Sequence, residues 1–377
     1  MESRKKILII GKLFYPENSP RAFRATELAK EFARGGHNVT VITIFNKEQS
    51  SFVKEYNVKI NDLGKFSWEI PKIGKTRIAV LLERVLSRFF SIFFEFPNIQ
   101  LTFLVNKIVR KESNYDLLIS VASPHTIHWG VAMARKADNP IAKIWVADCG
   151  DPYMGRENDS FKPAFYFKYI EKWFCRKADF ISVPTNGAIQ AYYPEFRNKI
   201  LVIPQGFKFE DIPIKKKNVR NSTPTFAYAG GFIKGKRDPS EFLEFLLGLS
   251  QDFEFHVYTY MKGMVNSYAE RSNGRIILHD KIDRDTLLHI LSGMDFLVNF
   301  ENYGIKQTPS KLIDYAIVGR PILSIDTVNL SKTKVMEFLS GDYRNQFVVQ
   351  DIDQYRIENV TARFLSCLEE KQKNEAK

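Results

Sequence analysis

The fold is constrained most strongly by an alternating pattern of predicted strands and helices. This pattern runs along the first part of the chain and then starts again. In the first pass, residues 6–10 form a short apolar run that ends at Gly11. Ser19 and Pro20 then predict a helix N-cap and first helical residue, and the helix is expected to end before a β-rich run at 39–44. This order predicts a parallel βαβ unit. Further apolar runs predict a doubly wound sheet, at residues 117–121, 144–146 and 180–183.

A second pass of the same pattern follows a polar, basic stretch at 215–224 that is typical of a surface linker. Its predicted strands cover residues 225–229, 253–258, 276–278, 296–298 and 321–323, and its predicted helices cover 239–249, 284–293 and 310–318. The 377 residues also exceed the size at which one hydrophobic core stops growing. We therefore expect an α/β protein with two Rossmann-like, doubly wound parallel-sheet domains at 1–205 and 206–353, and a closing helix at 354–377.

The loops at one edge of each predicted sheet are the expected places for function. Open parallel sheets bind ligands at the carboxyl ends of their strands. Two such domains that face each other would enclose a central cleft, which suits a pair of substrates held from both sides.

The net charge of +12 is concentrated in the first half of the chain. Residues 1–205 contain 31 Lys and Arg against 20 Asp and Glu, whereas residues 206–377 contain 24 against 23. A basic first domain indicates an anionic partner, either nucleic acid or an acidic membrane surface, although a solubilising surface explains the same charge. Nucleic acid is disfavoured because no recognition motif or aromatic platform accompanies the basic residues.

Cysteine usage and hydropathy indicate a cytoplasmic protein. The three cysteines are far apart and support neither a disulfide framework nor a Cys-pair zinc site: Cys149, Cys175 and Cys367. The apolar run at 7–10 is too short for a signal peptide. The stretch 89–106 is interrupted by Glu95 and Pro97, so we expect no transmembrane helix there.

The segment 309–321 has the pattern of a helix with an anion-binding N-terminus. Ser310 can cap a helix that Gly319 ends, and the unpaired backbone N–H groups of a first helical turn attract phosphate. Lys311 adds a positive charge, and Asp314, on the same helical face, offers an acceptor for ribose hydroxyls. The segment predicts a nucleotide site, with an ordinary capped helix bearing one surface ion pair as the alternative.

A second candidate phosphate site follows the predicted strand at 225–229. Gly230 and Gly231 allow the backbone to approach a ligand closely, and the cations of Lys234 and Arg237 can neutralise a diphosphate. The sequence has neither a Walker A motif nor GxGxxG, which disfavours an NTPase or a dinucleotide oxidoreductase. A glycine turn beside exposed lysines is the alternative interpretation.

These pieces and their order resemble the retaining nucleotide-sugar glycosyltransferases of family 4, which have the GT-B fold. The likeness extends over nearly the whole chain, and the collinear order is more specific than any single piece. The matching pieces are residues 7–11, 36–39, 123–128, 145–152, 203–206, 228–237, 278–282 and 309–321. The resemblance implies transfer of a sugar from a nucleoside-diphosphate donor to a glycan or polyprenyl-linked acceptor, in bacterial surface polysaccharide biosynthesis, with retention of configuration.

The resemblance also implies roles for residues of the second domain. Asp314 would face the ribose, and the backbone from Asp280 to Ile282 would contact the nucleobase. The donor diphosphate would lie near Gly231, near Lys234 or Arg237, and near Lys311, and Ser310 would offer the helix N-terminus.

The same resemblance makes His125 and Glu301 candidate catalytic residues. His125 stands where the family often has a histidine near the transferred sugar, and Gly11 would line the cleft floor. Lys306 occupies the position of the family's first acidic residue, and Glu301 is the closest substitute in sequence. A histidine after a strand is also commonly a structural group, an alternative that applies to His125 and more strongly to His128.

The implied reaction is a displacement at the anomeric carbon with the nucleoside diphosphate as leaving group. The cations named above would stabilise the charge that develops on it, so neither a protein nucleophile nor a cofactor is required. Asp283 and Asp285 have a spacing that resembles a metal site, but they open a predicted helix and fit first-turn acids. We therefore expect no metal.

Residues 77–96 combine an amphipathic helix pattern with an aromatic run in the basic domain. Such a segment can lie on the anionic inner face of the cell membrane, beside a lipid-linked acceptor, and a core-packing helix is the alternative.

Two other functions of the protein also stay open. Lys306, at the position of the family's first acidic residue, suggests a GT-B-shaped binding or regulatory subunit without activity, and a nucleotide-sugar epimerase shares the two-domain architecture.

Overall fold

The computed structural model describes residues 3–17, 19–70, 74, 76–155, 162–212, 220–301 and 310–375. The chain divides into two compact units, the first comprising Met1–Phe207 with Gln354–Lys377 and the second comprising Lys208–Asp353. The C-terminal segment is therefore part of the first unit. Each unit has one parallel sheet with helices, which confirms the α/β class predicted from the sequence.

In the described part of the first unit, seven parallel strands form a sheet with the order β3-β2-β1-β4-β5-β6-β7. They are β1 (Lys6–Gly11), β2 (Asn38–Thr43), β3 (Lys59–Asp62), β4 (Tyr115–Val121), β5 (Ala142–Asp148), β6 (Phe180–Val183) and β7 (Ile200–Val202). The sequence pattern does not predict β3 and β7, which have four and three residues and lie at the two sheet edges. β3 has a single apolar residue, Ile60, and β7 has only three residues, so neither strand shows a hydrophobic period.

Six of the described helices of this unit lie between its strands along the chain. They are α1 (Pro20–Arg34), α2 (Gln49–Tyr56), α3 (Arg77–Phe94), α4 (Ile99–Val109), α5 (Thr126–Ala134) and α6 (Phe167–Lys177). The α1 start is as predicted, because Ser19 Oγ accepts a hydrogen bond from the Ala22 N–H at 3.3 Å and Pro20 is the first helical residue. Among the helices that the structure describes, none combines the length and apolar character needed to cross a bilayer.

Both faces of the first sheet are covered by apolar side chains. Leu8 and Ile10 of β1 belong to one buried cluster, and Ile7 and Ile9 belong to another. Since successive strand residues point to opposite faces, the two clusters lie on opposite sides of the sheet. A strand that is buried on both faces reads as a continuous apolar run, which is why β1 is easily recognised in the sequence.

The described part of the second unit contains five parallel strands in the order β10-β9-β8-β11-β12. They are β8 (Thr225–Ala229), β9 (Glu254–Tyr258), β10 (Ile276–His279), β11 (Phe296–Phe300) and β12 (Ile322–Ile325). The helices are α7 (Ser240–Leu247), α8 (Asn266–Arg271), α9 (Arg284–Leu291), α10 (Ser310–Val318) and α11 (Lys332–Ser340). All five strands and three of these helices are predicted by the sequence to within a few residues.

The last helix, α12 (Ile357–Glu375), packs into the first unit. Val360, Phe364 and Cys367 are buried in the same apolar cluster as Ile7 and Ile9 of β1. The Arg24 guanidinium of α1 lies 5.2 Å from the centroid of the Phe364 ring. The helix is thus an integral part of the first core.

Each sheet has one point where the strand order reverses, between β1 and β4 in the first unit and between β8 and β11 in the second. Ligands of open parallel sheets bind in the crevice at the carboxyl side of such a point. Gly11 ends β1, and His125 follows β4. In the second unit, Gly231 follows β8 and Glu301 follows β11. The candidate residues from the sequence therefore flank both switch points.

Candidate functional site

The first turn of α10 lies against the loop that follows β8. The Lys311 ammonium is 4.3 Å from the centroid of the Tyr228 ring. One turn further along α10, the Tyr315 hydroxyl accepts a hydrogen bond from the Ala229 N–H at 2.8 Å. These contacts hold the start of the helix against the end of the strand, so the two phosphate candidates predicted separately from the sequence form one site.

The loop after β8 is shaped by its glycines. Gly230 has a φ of 150°, and a Cβ at Gly231 would lie 2.9 Å from the Tyr260 hydroxyl, which is too close for any other residue to fit without a shift. The Gly231 carbonyl accepts hydrogen bonds from the Tyr228 hydroxyl at 2.7 Å and from Arg237 Nη1 at 3.0 Å. Glycine is therefore needed beside the Tyr260 side chain, and a guanidinium is fixed at the Gly231 carbonyl.

The Lys311 ammonium is the least compensated charge in this site. Its Nζ is inaccessible to solvent and has no hydrogen-bond partner among the described residues. Burial, reinforced by the nearby positive charge of Arg237, moves the pKa of Lys311 well below its ordinary value. A bound anion would supply both the missing hydrogen-bond acceptors and the missing negative charge.

Arg237 and Lys234 occupy different positions in the turn at 233–237. Reciprocal backbone hydrogen bonds between Ile233 and Arg237, at 3.1 and 2.8 Å, close the turn. Arg237 is half-buried and reaches back to Gly231, whereas Lys234 is exposed. The structure thus brings Gly231, Arg237 and Lys311 together, and Lys234 lies at the tip of the turn.

Asp314 is held by an arginine that the sequence did not single out. Arg284, the first residue of α9, donates to Asp314 Oδ1 from Nε at 3.1 Å and from Nη2 at 2.5 Å. Burial raises the pKa of Asp314 above its ordinary value, and the Arg284 charge offsets only part of this. Both hydrogen bonds use one carboxylate oxygen, which leaves Oδ2 as the atom that could accept from a ribose.

The residues predicted to contact the nucleobase follow β10. Asp280 is exposed, and its carboxylate pairs with Lys262 Nζ at 2.7 Å; Ile282 is half-buried. His279, the last residue of β10, stacks on Tyr258 with ring centroids 4.4 Å apart. The stacked His279 ring therefore directly precedes residues 280–282 at the end of β10. Asp283 is the α9 N-cap, accepting from the Thr286 N–H at 2.9 Å, and Asp285 is the acid of the first turn, so the two carboxylates open a helix as predicted, Asp283 one position before it.

Two further predicted residues lie next to the part of the chain that is not described. Glu301 is exposed directly after β11, and its backbone N–H donates to the Ile325 carbonyl at 2.9 Å. Ser310 is the first residue of α10, and Gly319, with a φ of 72°, follows its last residue as predicted. Lys306, which stands where the resembling family has an acid, falls outside the described residues.

In the first unit, the ring of His125 is buried at the start of α5. It lies 5.2 Å from the Tyr153 ring, and the Tyr153 hydroxyl donates to Glu95 Oε2 at 2.9 Å. Gly11 is buried at the end of β1, where a Cβ would lie 3.3 Å from the Leu13 carbonyl. Both residues are placed at the switch point of the sheet, but the structure assigns neither a chemical step.

A buried ion pair near the same sheet edge has no counterpart among the sequence predictions. Arg24 of α1 donates to Asp148 Oδ2 from Nε at 3.2 Å and to Oδ1 from Nη2 at 2.8 Å, and Ser182 Oγ donates to Oδ1 at 2.7 Å. Burial opposes ionisation, but the charges of Arg24 and Arg21 and the hydrogen bonds from Arg24 and Ser182 together outweigh it, so the pKa of Asp148 lies below its ordinary value. The sequence signal that could have pointed to this pair is segment 145–152, which contains Asp148 and is one of the segments that resemble family 4.

His128 belongs to a closed polar network. Its Nδ1 lies 2.8 Å from Ser120 Oγ, which also accepts from Trp145 Nε1 at 2.8 Å, and its Nε2 lies 3.3 Å from Cys149 Sγ. Complete burial lowers the pKa of His128 to about 3, although the Asp148 charge acts in the opposite direction. A neutral, fully enclosed imidazole is a structural group, as the alternative from the sequence proposed.

A search of the described residues found no group of three or more His, Cys, Asp or Glu side chains that could hold a metal ion. Asp283 caps a helix, and Asp285 lies 4.0 Å from Arg284 Nη1. Their charges are therefore used within the protein.

Residues 23–210 match the model of Glycosyltransferase Family 4. No match was found among curated protein sequences. Among solved structures, a glycosyltransferase from Rickettsia africae ESF-5 is similar with 13% identity and a TM-score of 0.56, covering 98% of this chain and 97% of that one. These findings support a GT-B glycosyltransferase of the family 4 type.

Other solved structures share the GT-B fold along nearly the whole chain. Anabaena Alr3699/HepE in complex with UDP-glucose has 9% identity and a TM-score of 0.53, covering 99% of this chain and 100% of that one. A UDP-GlcNAc 2-epimerase from Methanocaldococcus jannaschii has 11% identity and a TM-score of 0.54, covering 96% and 99%. At these identities the likeness establishes the fold, and transferases and epimerases both share it.

Proposed function

We propose that this protein transfers a sugar from a nucleoside-diphosphate sugar to a glycan or lipid-linked acceptor, with retention of configuration, in bacterial surface polysaccharide biosynthesis. The observation that carries the proposal is the buried Lys311 ammonium, which lacks a hydrogen-bond partner among the described residues and faces the loop after β8. A diphosphate is the anion that fits the combination of this ammonium, the Arg237 guanidinium and a glycine backbone.

In this proposal the second unit stabilises the leaving group. Bond cleavage at the anomeric carbon places negative charge on the distal phosphate, and Lys311 and Arg237 are already in position to receive it. Because both groups are held by protein contacts before the donor binds, little reorganisation is needed during the reaction. No resident cofactor or metal is part of the proposal.

The remaining assignments follow the family resemblance. Asp314 Oδ2 accepts from the ribose, and the backbone of 280–282 contacts the nucleobase. His125 and Gly11 face the transferred sugar, and Glu301 supplies the carboxylate that Lys306 lacks. The family match over 23–210 includes His125, and the positions of Gly11, His125 and Glu301 after strands at the switch points support the roles of these three residues.

The test is turnover of a panel of ¹³C-labelled UDP-, GDP- and ADP-sugars, with and without a short-chain polyprenyl diphosphate sugar as acceptor. Transfer that requires the acceptor and gives a product with the donor's anomeric configuration by NMR would support the proposal. A donor converted to its epimer without acceptor would identify an epimerase. Donor binding without any turnover under all conditions would identify a binding subunit.

A further inference from the structure

Helix α3 exposes its apolar side chains to solvent. None of its 18 described residues is buried. Its most exposed apolar side chains are Ile78 (72%), Leu81 (61%), Val85 (58%), Phe94 (53%), Leu82 (51%) and Phe89 (48%). A helix that packs on a core would bury these residues, so the core-packing alternative from the sequence is wrong.

Most of the exposed apolar side chains lie on one side of the helix axis. At about 100° per residue, the stretch of apolar side chains from Leu81 through Val85 and Ile78 to Leu86 covers an arc of roughly 140°. Glu83 and Ser87 lie on the other side, and both are only partly exposed. The four side chains of this arc are all exposed, so this apolar face points to solvent, whereas the side of Glu83 and Ser87 is more covered.

The arginines of α3 form a stripe along one border of this apolar face. Arg77, Arg84 and Arg88 fall within an arc of roughly 40°, next to Leu81. An apolar face bordered by cationic side chains is the pattern of a helix that lies in the interface of an anionic bilayer. The same helix has one acidic residue, Glu83, and the first 205 residues carry most of the chain's positive charge.

The C-terminal end of α3 is fixed to the first unit. The Ala164 N–H donates to the Ile92 carbonyl at 3.1 Å, and the Tyr166 hydroxyl donates to the Phe93 carbonyl. Beside this attachment, Phe165 is 72% exposed. Glu95, directly after α3, accepts from the Tyr153 hydroxyl, so the helix is connected to the region around His125.

We propose that α3 docks the protein on an anionic lipid surface, with its apolar face inserted among the acyl chains and its arginine stripe on the lipid phosphates. A lipid surface supplies hydrocarbon and negative charge side by side, as this helix requires. A second copy of the chain would instead bring three more arginines to the interface. The inference adds a surface to the proposed function and depends on α3 alone, so vesicle binding and sugar transfer can fail separately.

The test is co-sedimentation of the full chain with vesicles of phosphatidylcholine alone and of phosphatidylcholine with phosphatidylglycerol in equal amounts. We expect binding to the anionic vesicles only, weakening as salt rises. Arg77→Glu with Arg84→Glu, and separately Val85→Asp, should each lower the partition coefficient on the order of tenfold or more. The matched control is Val348→Asp, an equally exposed valine of the second unit at 58%, which should bind like the wild type.

A second measurement covers the case in which the charge variants fail to fold. Leu82→Trp keeps an apolar side chain at the exposed face, and its added fluorescence should shift to the blue and be quenched by brominated lipid. Equal binding to both vesicle types, or no loss with Val85→Asp, would overturn the proposal. A wild-type dimer in light scattering that becomes monomeric with Val85→Asp would also overturn it and make this face a protein interface.

Discussion

The Lys311 ammonium lies 4.3 Å from the centroid of the Tyr228 ring, and the hydroxyl of the same tyrosine donates to the Gly231 carbonyl together with Arg237. The aromatic face offsets part of the charge, but a cation–π contact does not replace the hydrogen bonds that a buried ammonium loses. Burial of this ammonium therefore lowers the stability of the second unit, and an anionic ligand would offset the loss. Binding sites commonly carry such a cost in their empty form.

Lys311→Met should therefore stabilise the protein in the absence of nucleotide. The pKa of Lys311 is lower in the folded chain than its ordinary value of 10.5, so between these two values the unfolded state binds more protons. Wild-type stability should rise with pH through that window, and the advantage of the variant should shrink. Urea unfolding of both proteins at several pH values from 7 to 10 measures the difference. A difference that does not change with pH would contradict the burial of an uncompensated ammonium.

Asp314→Asn should reduce the preference for a ribonucleoside diphosphate over its deoxyribose counterpart, on the order of tenfold, because a charged acceptor is lost. Arg284→Met is the matched control, since it removes the partner of Asp314 and keeps the carboxylate. Calorimetric titration with both nucleotides gives the ratio. If the two variants change the ratio equally, or neither does, Asp314 acts only as the partner of Arg284.

Acid should destabilise the protein partly through His128. Its pKa of about 3 in the folded chain lies below the ordinary 6.5, so the unfolded state takes up the extra proton as pH falls through this interval. The loss is up to about 1.4 kcal/mol per pH unit. Stability of the wild type minus that of His128→Gln, from pH 7 to pH 4, isolates this contribution from the carboxylates. A constant difference would show that His128 is not held neutral by burial.

Removing one member of the Arg24–Asp148 pair should be costly. Both side chains are 3% exposed, and a single partner left in the core costs about 3–5 kcal/mol. Arg24→Met is expected to show such a loss in urea unfolding. The control Lys143→Ala removes a 2.7 Å ion pair with Asp116 in which the lysine is 72% exposed, and should cost less than about 1 kcal/mol. Similar losses for both variants would contradict the structural importance of the buried pair.

Much of the fold could be predicted because its signals are local. The apolar run of β1, the cap at Ser19 and the glycine after α10 each lie within a few residues of the element they define. Once the strand order follows the doubly wound pattern, Gly11 and Gly231 are placed at switch points. The sequence could thus indicate that these two glycines lie near a ligand site.

The pairs that join distant segments could not be predicted in this way. Arg284 and Asp314 are separated by 30 residues, and Arg24 and Asp148 by 124. The sequence around a charged residue does not show which distant residue it pairs with. The orientation of α3 was equally hidden, because an amphipathic helix has the same periodicity whether its apolar face meets a core or a membrane.

The measurement that tests the central claim most directly is calorimetric titration of the wild type and Lys311→Ala with nucleoside diphosphates and with the matching nucleosides. Lys332→Ala is the control, because this exposed lysine of the same unit also lies over an aromatic ring, 5.8 Å from the centroid of Phe245. We predict that Lys311→Ala weakens diphosphate binding on the order of a hundredfold and leaves nucleoside binding nearly unchanged, since a charged hydrogen-bonding partner contributes about 1.5–3 kcal/mol. Equal losses for both ligands, or no nucleotide binding by the wild type, would contradict a nucleotide-sugar site at this helix.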